Sequence, residues 1–369
     1  MRQAVNGAAR PPLLPPPRDA GRLLQDSAPA REWLVEGWIP AHEATLLGAD
    51  GGTGKTLLAL LLAYACATGW TWLGMEVRRC RALYYGAEEP MDELHWRLER
   101  ITAQILAGPI PEGWFQLISV ADQDAELATV GRSGAMEPTA RLAELERYIR
   151  AHDIGLLILD ASADIYGADE SERRHVRAFL RILRGFATRC RCTILLLAHP
   201  SVDGMRSGRG YSGSTHWNNA VRSRLYMHTP TAGEDGAEVD PDLRVLEVMK
   251  ANRAARGQRL MLRWREDVFR VEDAATASDA MARAHARAVF LDLLYRLARQ
   301  DRRVSPNTGP TYAPTVLAKE PGGEGITKTA LHRAMTELLR EGRIVVRTEG
   351  RETKRRQHLE IAKDMFDAA

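Results

Sequence analysis

The segment Gly48-Ala49-Asp50-Gly51-Gly52-Thr53-Gly54-Lys55-Thr56 is the most informative part of this 369-residue chain. It follows the apolar run EATLLGA (43–49) and leads directly into LLALLLAYACATG (57–69). Closely spaced glycines let backbone N–H groups converge on phosphate oxygens, and a helix starting at the loop adds the partial positive charge of its N-terminus. The pattern predicts a phosphate-binding turn between a strand and a helix, although the first glycine of G-x-x-x-x-G-K-[ST] falls on Ala49.

Residues 51–56, together with the distant Asp160, form the expected site for ATP and Mg²⁺. Lys55 is expected to reach the β- and γ-phosphates, and the Thr56 hydroxyl is expected to ligate Mg²⁺. Asp160 ends the apolar run Leu156-Leu157-Ile158-Leu159, which predicts a carboxylate on the metal shell at the end of a buried strand. A run of this kind can also be an ordinary strand end, and its meaning comes from its pairing with the glycine loop. The cofactor-binding residues are predicted to be Gly51, Gly52, Thr53, Gly54, Lys55, Thr56 and Asp160, of which Thr56 and Asp160 are the expected metal ligands.

A general base has to come from elsewhere, because the residue after Asp160 is Ala161. Glu88 and Glu89 directly follow the apolar run RALYYGA (81–87), and ligands bind at the carboxyl ends of parallel strands. We expect Glu88 to deprotonate the water that attacks the γ-phosphate. The alternative is that both acids only open the next helix, where negative charge suits the N-terminus.

Short apolar runs alternate with amphipathic helical patterns from Trp33 to about residue 272, which predicts an α/β sheet covered by helices on both faces. The last three strands follow one another without long helices, so the sheet is expected to gain antiparallel members at one edge. Two polar, glycine-bearing stretches are expected to be mobile loops, at 121–139 and 201–215. The predicted strands are 43–49, 81–87, 115–120, 156–160, 193–199, 224–228, 245–250 and 260–264.

Charge separates the C-terminal part from the rest of the chain. Residues 283–357 hold 16 Lys and Arg against 8 Asp and Glu, whereas residues 31–282 hold 30 against 35. The tail pattern, a helix, the helix ITKTALHRAMTELLREGR (326–343) and two short strands, predicts a winged helix. Its basic balance favours nucleic-acid phosphate as the partner, the alternative being a protein-docking domain with a solvated basic face. Basic residues expected on its DNA-contacting surface include Lys328, Arg333 and Arg355.

Several classes of protein are excluded. Four cysteines at irregular spacing fit neither a disulfide framework nor a zinc site, and they suit a reducing cytoplasm. No apolar run of 18 residues exists, so a membrane protein is not expected. The Pro-, Ala- and Arg-rich N-terminus predicts a disordered leader. The expected domains are a leader (1–30), an ATPase domain (31–272), a linker (273–285) and a winged-helix-like domain (286–362).

The order of these motifs resembles the RecA/DnaB-like P-loop ATPase core. The glycine loop follows the first strand, an acid follows the second, Asp160 stands alone, and the polar residue His199 ends the next strand. The opening WLVEGWIPAHEATLLGADGGTGKT and the block GYSGSTHWNNAVRSRLYM look like the RepA-type hexameric replicative helicases of plasmids and phages. The resemblance covers about residues 33–270. It implies a homo-oligomeric ring, likened to the hexamers of that group, that unwinds or translocates on DNA.

The resemblance also assigns roles to a strand end and the loop after it. In such proteins a polar residue ends the strand that comes after the metal-binding strand, and here that residue is His199. It senses the γ-phosphate and moves a DNA-contacting loop, here 201–215. Arg206 and Arg209 would meet single-stranded DNA there. The plain alternatives are a histidine that caps a strand and a solvated connection.

RecA-like rings complete each site with a basic finger from the neighbouring subunit. Arg222 and Arg224 match the position of that finger in RepA-type enzymes, and Lys250 resembles a second basic position of DnaB-like enzymes. The family arginine two places on is Asn252 here, a departure that weakens the assignment beyond Lys250. Each of these side chains could instead be an ordinary surface or interface charge.

Two functions are therefore expected from the sequence. The first, which the resemblance implies, is an ATP-dependent DNA helicase or translocase of the RepA type that uses ATP and Mg²⁺ and acts as an oligomeric ring in plasmid, phage or prophage DNA replication. The second is an ATP-switched DNA-binding regulator or recombination accessory protein that does not unwind DNA.

Overall fold

The computed structural model describes residues 16–105, 108–199, 217, 221–230, 240–251, 257–272, 279–323, 325–349 and 356–362. The chain divides into two units, Met1–Glu32 and Trp33–Ala369. In the first unit, α1 (Ala20–Leu23) is a single turn, and the Asp19 side chain caps it by accepting a hydrogen bond from the Arg22 N–H at 2.8 Å. The remaining elements belong to the second unit.

The strands of the second unit are mostly short, and the longest is β14 (Leu243–Ala251). They are β1 (Trp33–Val35), β2 (Ile39–Pro40), β3 (Ala44–Ala49), β4 (Thr71–Trp72), β5 (Met75–Glu76), β6 (Arg81–Gly86), β7 (Phe115–Ser119), β8 (Ala128–Val130), β9 (Met136–Pro138), β10 (Ile154–Asp160), β11 (Tyr166–Gly167), β12 (Thr193–Ala198), β13 (Ser223–His228), β14 (Leu243–Ala251), β15 (Arg259–Arg265), β16 (Val268–Val271), β17 (Ile344–Glu349) and β18 (Arg356–Ile361).

The helices connect these strands and also form most of the C-terminal part. They are α2 (Lys55–Thr68), α3 (Met91–Gln104), α4 (Ala140–Ala151), α5 (Ser162–Ile165), α6 (Arg173–Cys190), α7 (Asp279–Arg299), α8 (Ala313–Leu317) and α9 (Lys328–Arg340). Among the described helices, none combines the length and apolarity needed to cross a membrane.

One sheet of nine described strands organises the second unit, in the order β16-β15-β14-β13-β3-β12-β10-β6-β7. The strands from β13 to β7 run parallel, and β14, β15 and β16 add antiparallel pairs at one edge. Strand β12 lies between β3 and β10, so the strand that ends before His199 separates the glycine loop from Asp160. The expected α/β core with a mostly parallel sheet is confirmed.

Side chains of the central strands alternate between two apolar clusters, one on each face of the sheet. Leu47 and Ile158 face the cluster that contains α2, whereas Leu46 and Leu159 face the one that contains α6. Helix α2 is buried from Lys55 to Ala67, because the sheet covers one side and β4 with its neighbours covers another. It ends at Gly69, whose φ of +73° suits a helix C-terminus.

The structure differs from two expectations along the chain. Segment 121–139, expected to be a mobile loop, contains the antiparallel pair β8–β9, and β8 also pairs with β11. Helix α7 begins at Asp279, inside the segment expected to be a linker. Both were missed because three-residue strands and alanine-rich starts carry little periodic signal.

The C-terminal part shares an apolar cluster with the nine-stranded sheet and its helices. Phe290 of α7 and Leu331 of α9 belong to the same buried cluster as Leu262 of β15 and Trp72 of β4. Helix α7 contacts α9, β18 and β5. Helices α7, α8 and α9 are followed by the antiparallel pair β17–β18, and the assignment of these elements as a winged helix stays a prediction.

Candidate active site

Two glycines shape the loop between β3 and α2. Gly52 and Gly54 have φ values of +73° and +97°, in the left-handed region that side-chain-bearing residues avoid. A Cβ on Gly54 would also lie 2.7 Å from the ring of Phe269. At Gly51 and Gly52, however, a Cβ would meet no atom of the described residues within 4 Å. The open side of the loop therefore leaves room for a ligand to approach the backbone.

Helix α2 starts at this loop without a side-chain cap. Gly54 is its N-cap residue and makes no side-chain hydrogen bond to the first turn. The Thr53 hydroxyl turns the other way and donates to the carbonyl oxygen of Asp50 at 2.7 Å. The positive end of the helix dipole thus faces the loop, an arrangement that favours an anion there.

Lys55, His199 and Glu88 form one hydrogen-bonded chain. Lys55 Nζ lies 3.2 Å from His199 Nδ1, and His199 Nε2 lies 2.8 Å from Glu88 Oε1. An ammonium group can only donate, so Nδ1 is the acceptor and Nε2 carries the proton donated to Glu88. The structure thereby joins three residues that the sequence analysis selected for separate reasons.

The chain of hydrogen bonds also sets charge states. The hydrogen bond from His199 lowers the pKa of Glu88, outweighing its partial burial. Burial lowers the pKa of Lys55, against the opposing effect of the nearby carboxylates. Glu88 is therefore ionised at neutral pH, which is the form that can accept a proton from water.

Asp160 is held by two hydroxyl groups at a single oxygen. Thr56 Oγ1 donates to Asp160 Oδ2 at 2.7 Å, and Tyr84 OH donates to the same oxygen at 2.9 Å. Asp160 is fully buried, and its Oδ1 atom has no hydrogen-bond partner among the described residues. Burial raises the pKa of Asp160, and the two hydrogen bonds oppose that rise.

The Thr56 and Asp160 pair fits a magnesium ion. An orphaned buried carboxylate oxygen is costly unless a cation or donor reaches it, and Mg²⁺ prefers few protein oxygens together with phosphate and water. The described residues contain no cluster of three or more His, Cys, Asp or Glu side chains that could hold a metal without such help. Thr56 and Asp160 are thus suited to a metal that arrives with a phosphate ligand.

Strand order explains why these residues meet. The glycine loop follows β3, His199 follows β12, Asp160 ends β10 and Glu88 follows β6, and these four strands are neighbours in the sheet. All four are parallel, so their carboxyl ends lie along one edge.

Glu88 and Glu89 have different surroundings although they are adjacent in sequence. Glu89 Oε1 accepts a hydrogen bond from Arg97 of α3 at 2.7 Å. Burial raises the pKa of Glu89, and the charge of Arg97 opposes that rise. Glu88 instead faces His199, so the geometry separates the two acids into a site residue and a partner of α3.

Three contributors to the site carried no recognisable sequence signal. Tyr84 lies within β6, where an apolar run hides the one hydroxyl that reaches Asp160. Tyr226 OH of β13 donates to Asp50 Oδ1 at 2.9 Å, and Arg244 Nε of β14 donates to the Thr53 carbonyl at 3.3 Å. These contacts depend on which strand lies beside β3, which no local pattern reveals.

The basic candidates of the β13–β14 edge lie away from the loop of their own chain. Arg222 is exposed and precedes Ser223, which pairs with Thr45 of β3, four residues before the strand ends. At about 3.3 Å per residue this puts Arg222 roughly 17 Å from the start of the loop. Arg224 is buried and its guanidinium lies 5.6 Å from the ring centroid of Tyr226. Lys250 is half-buried and is the register partner of Arg224.

Of the predicted DNA-contacting residues, two are described by the structure. Lys328 and Arg333 are exposed on α9, and Lys328 Nζ lies 5.5 Å from the ring centroid of Tyr312. Arg206, Arg209 and Arg355 lie outside the described residues, as does Asn252.

One comparison with known proteins, the match to a family model, agrees with a P-loop architecture. A family model described as an AAA domain matches residues 9–205, which is more than half of the chain. No curated protein sequence matches significantly. Solved structures do match, among them the crystal structure of a KaiC-like protein from the hyperthermophilic archaeon Pyrococcus horikoshii OT3. That protein is 16% identical, with a TM-score of 0.44 over 65% of this chain and 94% of its own.

Proposed function

The chain belongs to the AAA domain family of P-loop ATPases, and from that premise we propose that it binds Mg-ATP and hydrolyses it with Glu88 as the general base. The observation that carries the proposal is the convergence of Lys55, Thr56 with Asp160, and Glu88 with His199 at one edge of the sheet. Each of the three groups suits a different part of a triphosphate and its attacking water.

Binding would use the open side of the glycine loop and the start of α2. Backbone N–H groups there, together with the Lys55 ammonium, would bind the β- and γ-phosphate oxygens. Thr56 and Asp160 would hold Mg²⁺, which when bound would neutralise charge that develops on the phosphates. Arg244 and Tyr226, through Thr53 and Asp50, would keep the loop in its binding shape.

Hydrolysis would begin with a proton transfer to Glu88. A water molecule beside the γ-phosphate would give a proton to the carboxylate as its oxygen bonds to phosphorus, and ADP would leave with the electrons of the broken P–O bond. His199 would fix the orientation of Glu88 through its Nε2 hydrogen bond. The same imidazole also contacts Lys55 through Nδ1. A movement of Lys55 onto the phosphate would therefore change the hydrogen bond between His199 and Glu88, and in this way nucleotide binding would be signalled to Glu88.

We propose further that the protein works as a ring-shaped DNA helicase or translocase, with the cytoplasmic, RepA-type role that the motif order suggests. What supports an oligomer is the position of Arg222, which is exposed and too far from its own loop to touch the same nucleotide. The buried Arg224 fits a finger less well, because it packs within its own chain. Exposed Lys328 and Arg333 support nucleic acid as the partner.

The test is the ATPase rate with and without single-stranded DNA, on protein whose oligomeric mass in ATP is measured in the same sample. A Lys55→Ala variant is the negative control for hydrolysis at this site. We expect single-stranded DNA to stimulate ATP hydrolysis by an assembled ring. We also expect the ring to displace one strand of a partial DNA duplex. Specific binding of one duplex sequence without displacement would favour the ATP-switched regulator, and equal activity of Lys55→Ala would refute the site itself.

A mixing experiment tests the finger in trans. Lys55→Ala and Arg222→Ala should each be inactive alone, because each damages every site. In an equimolar mixture, half of the subunits have an intact Lys55, and half of their neighbours have an intact Arg222. Roughly a quarter of the interfaces of a head-to-tail ring therefore combine both intact residues. Activity should then recover to about that fraction, and no recovery would refute Arg222 as the shared residue.

A further inference from the structure

A cavity lies at the end of the sheet opposite the proposed nucleotide site. Its volume is about 570 Å³, and its lining includes Arg81, Ile154 and Thr193, which begin β6, β10 and β12. The proposed nucleotide site is at the carboxyl ends of the same strands. Five or six residues at about 3.3 Å each separate the two, roughly 17 to 20 Å. The cavity is therefore a separate place on the molecule.

The lining of this cavity is strongly basic. Among the described residues that line it, Asp153 is the only acidic one. Its arginines come from three separate segments of the chain: the residues that lead into and begin β6, the end of α4, and the end of α6 with the residue after it. They are Arg78, Arg79, Arg81, Arg150, Arg189 and Arg191.

Several of these guanidinium groups are fixed before any ligand binds. Glu146, beside the cavity, accepts two hydrogen bonds from Arg189, at 3.1 and 2.8 Å, and one from Arg150 at 2.9 Å. Arg81 donates to the carbonyl oxygen of His152 at 3.1 Å. The guanidinium of Arg79 lies 4.4 Å from the ring centroid of Trp114. A ligand would therefore lose little entropy to ordering these side chains.

Two further arginines meet at one imidazole nitrogen. Arg78 Nη1 and Arg191 Nη2 each lie 3.4 Å from His42 Nε2. Both guanidinium groups can only donate, so the nitrogen is their common acceptor. An anion placed beside this nitrogen would be within reach of donors from both guanidinium groups.

We propose that this cavity binds a ligand with two or more phosphate groups. Arginine forks bind phosphate through paired, charge-assisted hydrogen bonds, and the volume lies in the range of small-molecule sites. A phosphate chain concentrates more negative charge in this space than side-chain carboxylates can. The ligand is either a free oligophosphate or nucleotide, or the phosphates of a nucleic-acid strand, which offer the same chemistry.

The cavity carries its own reporters for a binding test. Cys80 and Cys190 line it and are half-buried, whereas Cys66 and Cys192 are buried and are not part of its lining. The rate of iodoacetamide modification of each cysteine, measured by mass spectrometry, reports occupancy of the cavity. The experiment uses the full chain with the Lys55→Ala substitution, titrated with inorganic tripolyphosphate in one arm and a single-stranded thymidine oligonucleotide in the other. The substitution removes the main cation of the nucleotide site, so the proposal is tested independently of that function.

We expect modification of Cys80 and Cys190 to slow about tenfold at a ligand concentration ten times the dissociation constant. Protection in the tripolyphosphate arm identifies a free oligophosphate as a sufficient ligand, and protection in the oligonucleotide arm alone identifies a nucleic-acid strand. The double variant Arg78→Gln/Arg191→Gln should need roughly tenfold more ligand for half-protection. The matched control is Arg177→Gln/Arg181→Gln, which removes two exposed arginines of α6 outside the cavity.

Three results would overturn the proposal. One is the absence of protection in both arms. Another is an equal loss of affinity in the Arg177/Arg181 control, which would indicate only general electrostatic attraction. The third is equal or better protection by a glutamate peptide of the same total charge. Thermal unfolding of both double variants checks that a change in protection is not a loss of fold.

Discussion

The substitution Tyr84→Phe tests how the buried carboxylate of Asp160 is kept in place. The Tyr84 hydroxyl donates to Asp160 Oδ2 at 2.9 Å, and both side chains are 0% exposed. Phenylalanine keeps the ring and its packing and removes only the hydroxyl. The loss is one hydrogen bond to a buried charged group, worth about 1.5–3 kcal/mol of unfolding free energy. Losing this hydrogen bond also raises the pKa of Asp160, because the Tyr84 hydroxyl favours the ionised carboxylate.

The sign of the pH dependence follows from that rise. The hydrogen bond from Tyr84 lowers the pKa of Asp160 in the folded protein, whereas the unfolded chain has no such bond. Where Asp160 is protonated in both proteins, at acidic pH, the variant loses little. As pH rises through the folded pKa of Asp160, the variant must ionise a less supported carboxylate, so its stability falls relative to the wild type. The deficit is largest at neutral and alkaline pH.

Urea unfolding at several pH values measures this deficit, and the Mg²⁺ concentration needed for half-maximal ATPase activity gives a second readout. That concentration should rise in Tyr84→Phe and approach the wild-type value at higher pH. Tyr85→Phe is the matched control, because the Tyr85 hydroxyl donates to the neutral carbonyl of Ala125 at 3.0 Å. It should cost about 0.5–1.5 kcal/mol without a shift in Mg²⁺ requirement. Deficits that are equal at acidic and neutral pH would refute the reasoning.

Three further predictions concern the site and its support. Glu88→Gln should bind ATP normally but turn it over about 10²–10⁴-fold more slowly, while Glu89→Gln stays near the wild-type rate; a coupled ATPase assay decides, and the reverse pattern would move the base to Glu89. Gly54→Ala should cost about 1–3 kcal/mol in urea unfolding and weaken nucleotide binding, because alanine at φ +97° is strained and meets an aromatic ring; unchanged stability would contradict this. Arg287→Met should lower the unfolding free energy by about 2 kcal/mol, because Arg287 forms ion pairs with three glutamates in β5 and at the end of α9. Arg299→Met, on the exposed side of α7, is the control and should lower it little. Equal losses in the two variants would argue against the ion pairs.

Much of the core followed from local patterns. The apolar runs at 43–49, 81–87, 156–160 and 193–199 became β3, β6, β10 and β12 within one or two residues. Short or polar strands were missed, as in the β8–β9 pair, because three residues give no usable period. Helices α7 and α9 and strands β17 and β18 were also predicted in order, whereas helix α8 was missed and the apolar cluster shared with the core was not foreseen.

The sequence proposed several residues of the candidate site but not the contacts between them. Lys55 and Thr56 stand together in the chain, so a single motif defined both. That His199 would lie between Lys55 and Glu88 depended on β12 lying between β3 and β10. Tyr84 could not be selected in advance, because nothing in RALYYGA distinguishes a tyrosine that reaches Asp160 from one that packs elsewhere.

The chain's own order of residues was enough to specify the glycine loop, the helix that starts after it and the acid at the end of a buried strand. These features are local, because backbone freedom at glycine, helix capping and apolar periodicity act between near neighbours in the chain. The neighbours of each strand were settled by the packing of the whole sheet, since one buried apolar strand can pair with many others. The Lys55–His199–Glu88 chain, the Tyr84 contact to Asp160 and the arginine-lined cavity exist only because that packing brings distant segments together.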